Sequence, residues 1–149
     1  MKNKLQQAIS SGLAATVIMT LVMIFAGMMG MPEMSPPDML SAVMGVPVMG
    51  GWVIHFLIGI TFAAIYVFIF NSLFKKITSR PLKGTLYGVV AFILAQVGFM
   101  VMGAVFGEEN MPAPEEGSMT MLMIGSIVGH VVFGIVVALM VKPVSIPAK

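Results

Sequence analysis

The chain has no cysteine, and only 9% of its 149 residues are charged, where an ordinary soluble domain carries about 25%. Without cysteine there is no disulfide framework, no thiolate zinc site, no thiolate-held iron–sulfur cluster and no covalent c-type haem. With so little charge and 58% apolar residues, a soluble globule is excluded. The net charge of +2 is too small for the basic stripe of a nucleic-acid binder, so nucleic acid is not a partner. Enzymatic signatures are missing as well. There is no phosphate-binding glycine loop, no His-Glu-x-x-His, no dinucleotide fingerprint and no carboxylate within the long apolar runs to act as acid or base. An ion channel or proton pump fits badly for the same reason, since the charged relay is lacking.

What is present is hydrocarbon. Uncharged stretches run over 5–32, 39–74, 84–107 and 117–141, each longer than the roughly 20 residues that cross a bilayer. They predict an all-α, four-transmembrane-helix bundle with spans near 6–30, 49–71, 84–106 and 119–141. The eight basic residues, Lys2, Lys4, Lys75, Lys76, Arg80, Lys83, Lys142 and Lys149, fall on one side of this layout. The six acids, Glu33, Asp38, Glu108, Glu109, Glu115 and Glu116, fall on the other. The positive-inside rule then places both termini in the cytoplasm and the protein in the inner (cytoplasmic) membrane. The first span follows Met-Lys-Asn-Lys but far exceeds a signal-peptide core, and reads as an anchor that stays. Prolines at Pro32, Pro36, Pro37, Pro112 and Pro114 interrupt the acidic-side loops. After the first of these a short interfacial helix is expected over Asp38–Gly45, with Ser35 as N-cap and Pro36 at its first position.

The two histidines, the only ones in the chain, lie in matching contexts. Gly51-x3-His55-x3-Gly59-Ile60-x2-Ala63 in the second span repeats as Ser126-x3-His130-x3-Gly134-Ile135-x2-Ala138 in the fourth. Gly12 and Gly88 precede these histidines at nearly equal distances, and Gly27 and Gly103 each follow fifteen residues later. The single membrane domain, 1–149, therefore reads as two parallel-repeat helical hairpins, about 5–74 and 83–142. A pseudo-two-fold axis along the membrane normal would relate them and turn the histidines towards each other.

Residues four apart share a helix face. Gly51, Gly59, Ser126 and Gly134 thus flank the histidines with small surfaces, either cleared for a flat ligand or shaped for close helix approach. The ligand reading makes His55 and His130 the axial ligands of a b-type haem or the ligands of a metal ion, with an electron-transfer role beside a respiratory complex. Gln96 and Thr20 are candidates to hold the imidazoles from behind, with Thr16 and Thr61 as further hydroxyls. Trp52 and nearby phenylalanines would line the pocket, although Trp52 also suits an interfacial anchor. Depth bears against one shared haem: His55 lies about 30 Å before Lys75, and His130 about 18 Å before Lys142.

Seventeen methionines are a second excess, concentrated on the acidic side. Met28, Met31 and Met34 offer soft thioethers suited to copper. The plainer alternative is adaptable packing at a partner surface. Two further functions therefore stand beside electron transfer: a cofactor-free accessory subunit of a membrane complex, or a copper-handling membrane protein. The partners expected are the lipid bilayer and a larger membrane complex or a second copy.

The segments His55-Phe56-Leu57-Ile58-Gly59-Ile60-Thr61-Phe62-Ala63-Ala64-Ile65-Tyr66 and Gly129-His130-Val131-Val132-Phe133-Gly134 resemble an uncharacterised family of small prokaryotic four-helix membrane proteins. The resemblance covers most of the chain. It implies the four-span topology and draws attention to both histidines, and it carries no activity.

Overall fold

The computed structural model describes residues 2–32, 35–107 and 119–142. The described residues form helices joined by short turns, with no strand among them. Four helical stretches are long and apolar enough to cross a membrane: Asn3–Met28, Val48–Leu73, Arg80–Phe106 and Met119–Met140. They match the four expected spans to within a few residues.

Helix α1 (Lys2–Met28) ends in a Schellman stop. Gly30 takes a positive φ of 92°, and the Met31 and Gly30 amides return to the Ala26 and Gly27 carbonyls. The short helix α2 (Pro36–Met44) follows where an interfacial helix was expected, with Pro36 at its first position. Ser35 stands at its N-cap, but its side chain makes no capping hydrogen bond. Pro36 and Pro37 supply no N–H to the first turn, so two of the donors a cap would satisfy are absent. Gly45, at φ 62°, closes α2 by the same Schellman geometry.

The second span is α3 (Val48–Ile65), a π-helical turn (Tyr66–Phe70) and a last turn α4 (Asn71–Leu73). Helix α5 (Arg80–Phe106) begins at Ser79, whose hydroxyl accepts from the Leu82 amide, with Pro81 in the first turn. Helix α6 (Met119–Met140) completes the bundle. Helix α1 lies between α3 and α6, α5 packs on α6, and α2 lies against α3 and reaches α5.

The end that carries the basic residues is plugged by aromatic rings. Tyr66, Phe70 and Tyr87 pack with centroids 4.9 to 5.8 Å apart, and Phe74 stacks on Phe70 at 4.3 Å. The buried Tyr87 hydroxyl donates to the Phe62 carbonyl, one turn before the π-helical segment. Around the rings, polar side chains tie α6 to its neighbours. Arg80 donates to the Ala138 and Val141 carbonyls at 3.2 and 2.6 Å, and Asn71 donates to the Lys142 carbonyl at 3.0 Å. These are the carbonyls that a helix C-terminus leaves unsatisfied, at the end whose dipole favours a cation. Lys83, 5% exposed, donates to the Asn71 side-chain oxygen.

Candidate functional site

Close approach between helices is written in the glycines. A Cβ on Gly12 would lie 2.7 Å from the Ile60 Cα, and one on Gly84 would lie 2.5 Å from the Ile135 Cα. Gly88 rests on the His130 carbonyl and the Val131 backbone, and Gly134 on the Gly88 backbone. The face of Gly59 is taken by the Thr16 hydroxyl, and that of Gly51 by the Pro37 carbonyl and Ser41. All of these faces are thus occupied by neighbouring segments of the chain. The space that hydrogen in place of a side chain creates is used for helix-to-helix contact, and no open surface remains on Gly51, Gly59 or Gly134 for the edge of a porphyrin.

His55 is buried, 5% exposed, on the face of α3 that meets α1. Its Nε2 lies 3.1 Å from the Thr20 hydroxyl, which itself donates to the Thr16 carbonyl at 2.8 Å. With its one proton committed to that carbonyl, the Thr20 oxygen accepts from Nε2–H, and the lone pair of a neutral imidazole falls on Nδ1. Trp52 meets the His55 ring edge-on at 6.4 Å, and Phe56 flanks it at 6.2 Å. His130, half-buried on α6, has Nδ1 at 2.7 Å from the Ser126 carbonyl. A carbonyl can only accept, so Nδ1 carries the proton and Nε2 the lone pair. Phe92 of α5 stands edge-on to this ring at 5.9 Å.

Thr20, expected behind a histidine, is there. Ser126 contributes its backbone carbonyl. Gln96 is half-buried on α5 and bonds neither histidine, and Thr61 donates to Leu57 of its own helix. Thr16 is buried, with its hydroxyl oxygen lacking a hydrogen-bond partner. Met28 is 77% exposed at the end of α1, Met31 is half-buried, and Met34 lies outside the described residues.

Counted by helical rise from a contact that ties the two spans together, the separation in depth is smaller than the distances to the flanking lysines imply. The Asn71–Lys142 bond ties α4 to the end of α6. Counted from that tie, His55 stands about 24 Å and His130 about 18 Å into the bundle, a difference of about one helical turn. Helix α1 supports the same alignment. Thr20 touches His55, while the Met23 sulfur and Met19 Cγ lie against Gly129, next to His130. The ring contacts of the two histidines are separate, with Trp52 and Phe56 for His55 and with Phe92 for His130.

Met19 and Met23 escaped the sequence reading, as did the Asn71, Lys83 and Arg80 cluster. The available signal was spacing. Gly12, Thr16 and Thr20 form one i, i+4 stripe on α1, which faces α3, and Ala15, Met19 and Met23 form the next.

No curated protein and no solved structure matches this chain. Residues 2–147 do match a family of unknown function, DUF6789, and the chain belongs to that family.

Proposed function

We propose that this is a multi-pass protein of the cytoplasmic membrane, with both termini in the cytoplasm, and that His55 and His130 hold a redox metal centre within it. The centre, a b-type haem or a metal ion, would serve electron transfer beside a larger respiratory complex. The collection of all basic residues on one side of the spans supports the orientation.

Two parallel copies of one hairpin are supported by the contacts. Gly12 meets Gly59 and Ile60 as Gly84 meets Gly134 and Ile135. Thr20 stands beside His55 as Phe92 stands beside His130. By these contacts Gly12 corresponds to Gly84, one turn away from the Gly88 to which equal sequence spacing assigns it.

The observation that carries the functional reading is the hydrogen bond from His130 Nδ1 to the Ser126 carbonyl. A ligating histidine normally gives its other ring N–H to an acceptor of this kind, which sets the tautomer and aims the lone pair. Ionisable side chains inside a membrane are costly and generally functional, and here two of them stand about one helical turn apart in depth. A haem would have to reach the imidazoles away from the filled faces of Gly59 and Gly134.

The test is purification in mild detergent from haem-sufficient cells, followed by oxidised and reduced visible spectra and metal analysis, with His55→Ala and His130→Ala alongside. A Soret band or a stoichiometric metal, lost in either variant, is the expected result. A colourless, metal-free protein that takes up neither haem nor metal overturns the reading. A cofactor-free accessory subunit would then follow, a second reading favoured by the complete use of the glycine faces in helix packing. Its signature is co-purification with a membrane partner.

A further inference from the structure

We infer that the flank of α5 carrying Gln96 is an interface with a second copy of this chain, closed by two Gln96 carboxamides that hydrogen-bond each other across a two-fold axis. Gln96 lies near mid-membrane. At about 1.5 Å per residue it stands about 20 Å beyond Lys83, the last charged residue before it, and about 15 Å before Phe106, where α5 ends. It is half-buried and makes no hydrogen bond, either within its own helix or to another. A carboxamide brings two N–H donors and an acceptor oxygen, and hydrocarbon holds no water to satisfy them. The side chain is too short to reach either face of the membrane. Its partner therefore lies beside α5 in the bilayer.

Helical phase gives the direction. Gly84 and Gly88 seat α5 on α6, and Tyr87 turns towards Tyr66 and Phe70 of the second span. Gln96 follows Tyr87 by nine residues, two and a half turns, and so points to the opposite flank. Along that flank Leu82, Leu86, Val89, Ile93, Gln96 and Met100 alternate spacings of four and three, the seam by which parallel helices pack. All but Gln96 are at least 38% exposed, so no described segment of the chain covers the seam. Helix α5 is also the least enclosed of the four spans, with 17% of its most apolar stretch buried against 33–44% in the others. Every copy inserts with the same orientation, because the one-sided placement of the basic residues belongs to the chain itself. A two-fold axis relating two copies then runs along the membrane normal, and each residue on the seam meets its own equivalent at the same depth. Gln96 is the one polar side chain of the six, and it both donates and accepts, so two copies satisfy each other. One amide on an otherwise apolar seam is the device that fixes register and partner number in paired helices.

The chain has no cysteine, so single thiols test this face in native membranes. Met100→Cys lies on the seam, and Val101→Cys lies at nearly the same depth but off it; both side chains are exposed. On oxidation with copper phenanthroline, Met100→Cys should give a disulfide-linked dimer and Val101→Cys should not. In parallel, full-length protein labelled at its amino terminus with donor or acceptor dye is reconstituted in liposomes, and energy transfer is followed against the protein-to-lipid ratio. Gln96→Leu should raise the dimer dissociation constant by about tenfold, the scale of an interhelical amide pair, with an unchanged circular dichroism spectrum. Gln96→Asn, which keeps the carboxamide, should retain part of the association. Equal cross-linking at both positions, a monomer at every ratio, or a dimer indifferent to Gln96→Leu each overturns the inference. A monomer that carries a different membrane protein, released by Gln96→Leu, assigns the seam to that protein and overturns the second copy. None of these outcomes depends on what the histidines hold.

Discussion

Gly88 offers the sharpest test of the packing that positions the site. A Cβ at Gly88 would lie 2.5 Å from both the His130 carbonyl oxygen and the Val131 Cα, and 2.9 Å from the Val131 nitrogen. All three are backbone atoms, so no rotamer change relieves the overlap. In Gly88→Ala, helices α5 and α6 must part by about 1 Å to restore ordinary contact, and a gap of that size forfeits a quarter to a half of each dispersion contact along the interface. Overpacking of this kind costs about 1–3 kcal/mol. Gly98, on the same helix, has nothing within 4 Å of its would-be Cβ. Gly98→Ala should therefore stabilise the helix by about 0.5–1 kcal/mol. The two variants, identical in composition, should differ by roughly 1.5–4 kcal/mol, on the order of 10- to 1000-fold in the unfolding constant. The assay is reversible unfolding in mixed micelles of rising dodecyl sulfate content, followed by circular dichroism and by the fluorescence of Trp52, the single tryptophan. A Gly88→Ala protein as stable as Gly98→Ala would refute the close packing of α5 on α6.

Other outcomes follow from the same geometry. Tyr87→Phe removes the hydroxyl that donates to the Phe62 carbonyl. That carbonyl keeps the Tyr66 amide, so the loss in the same unfolding assay should be modest, about 0.6 and at most about 1.7 kcal/mol. Asn71→Leu should cost more, about 1–3 kcal/mol, since it leaves the buried Lys83 ammonium and the Lys142 carbonyl without their partner; the double variant with Lys83→Met should recover part of the loss. Because the chain has no cysteine, single thiols report orientation directly. Ser35→Cys should react with a membrane-impermeant maleimide on intact cells and Lys76→Cys only after permeabilisation, and the reverse pattern would invert the proposed topology.

Much of this protein is readable without coordinates, and the reason is that crossing a bilayer is a requirement each span meets by itself. Some twenty apolar residues and the absence of charge suffice, because backbone groups in hydrocarbon must bond within their own helix. The four spans, the short helix after Pro36 and the two matched histidine segments accordingly follow from local sequence. Register between helices does not. The spans are apolar on every side, so hydropathy does not say which face meets which neighbour; pairs such as Gly12 with Ile60, or Gly129 with Met23, are settled only when backbones approach. That is why the flanking glycines, open to a ligand in the sequence, are filled by helices in the structure. It is also why Met19 and Met23, indistinguishable from the other methionines by composition, are buried against Gly129. Sequence by itself determined the number, length and apolar character of the helices; tertiary structure alone decided which side chains share one level of the bundle, because that depends on pairwise steric fit across three helices at once.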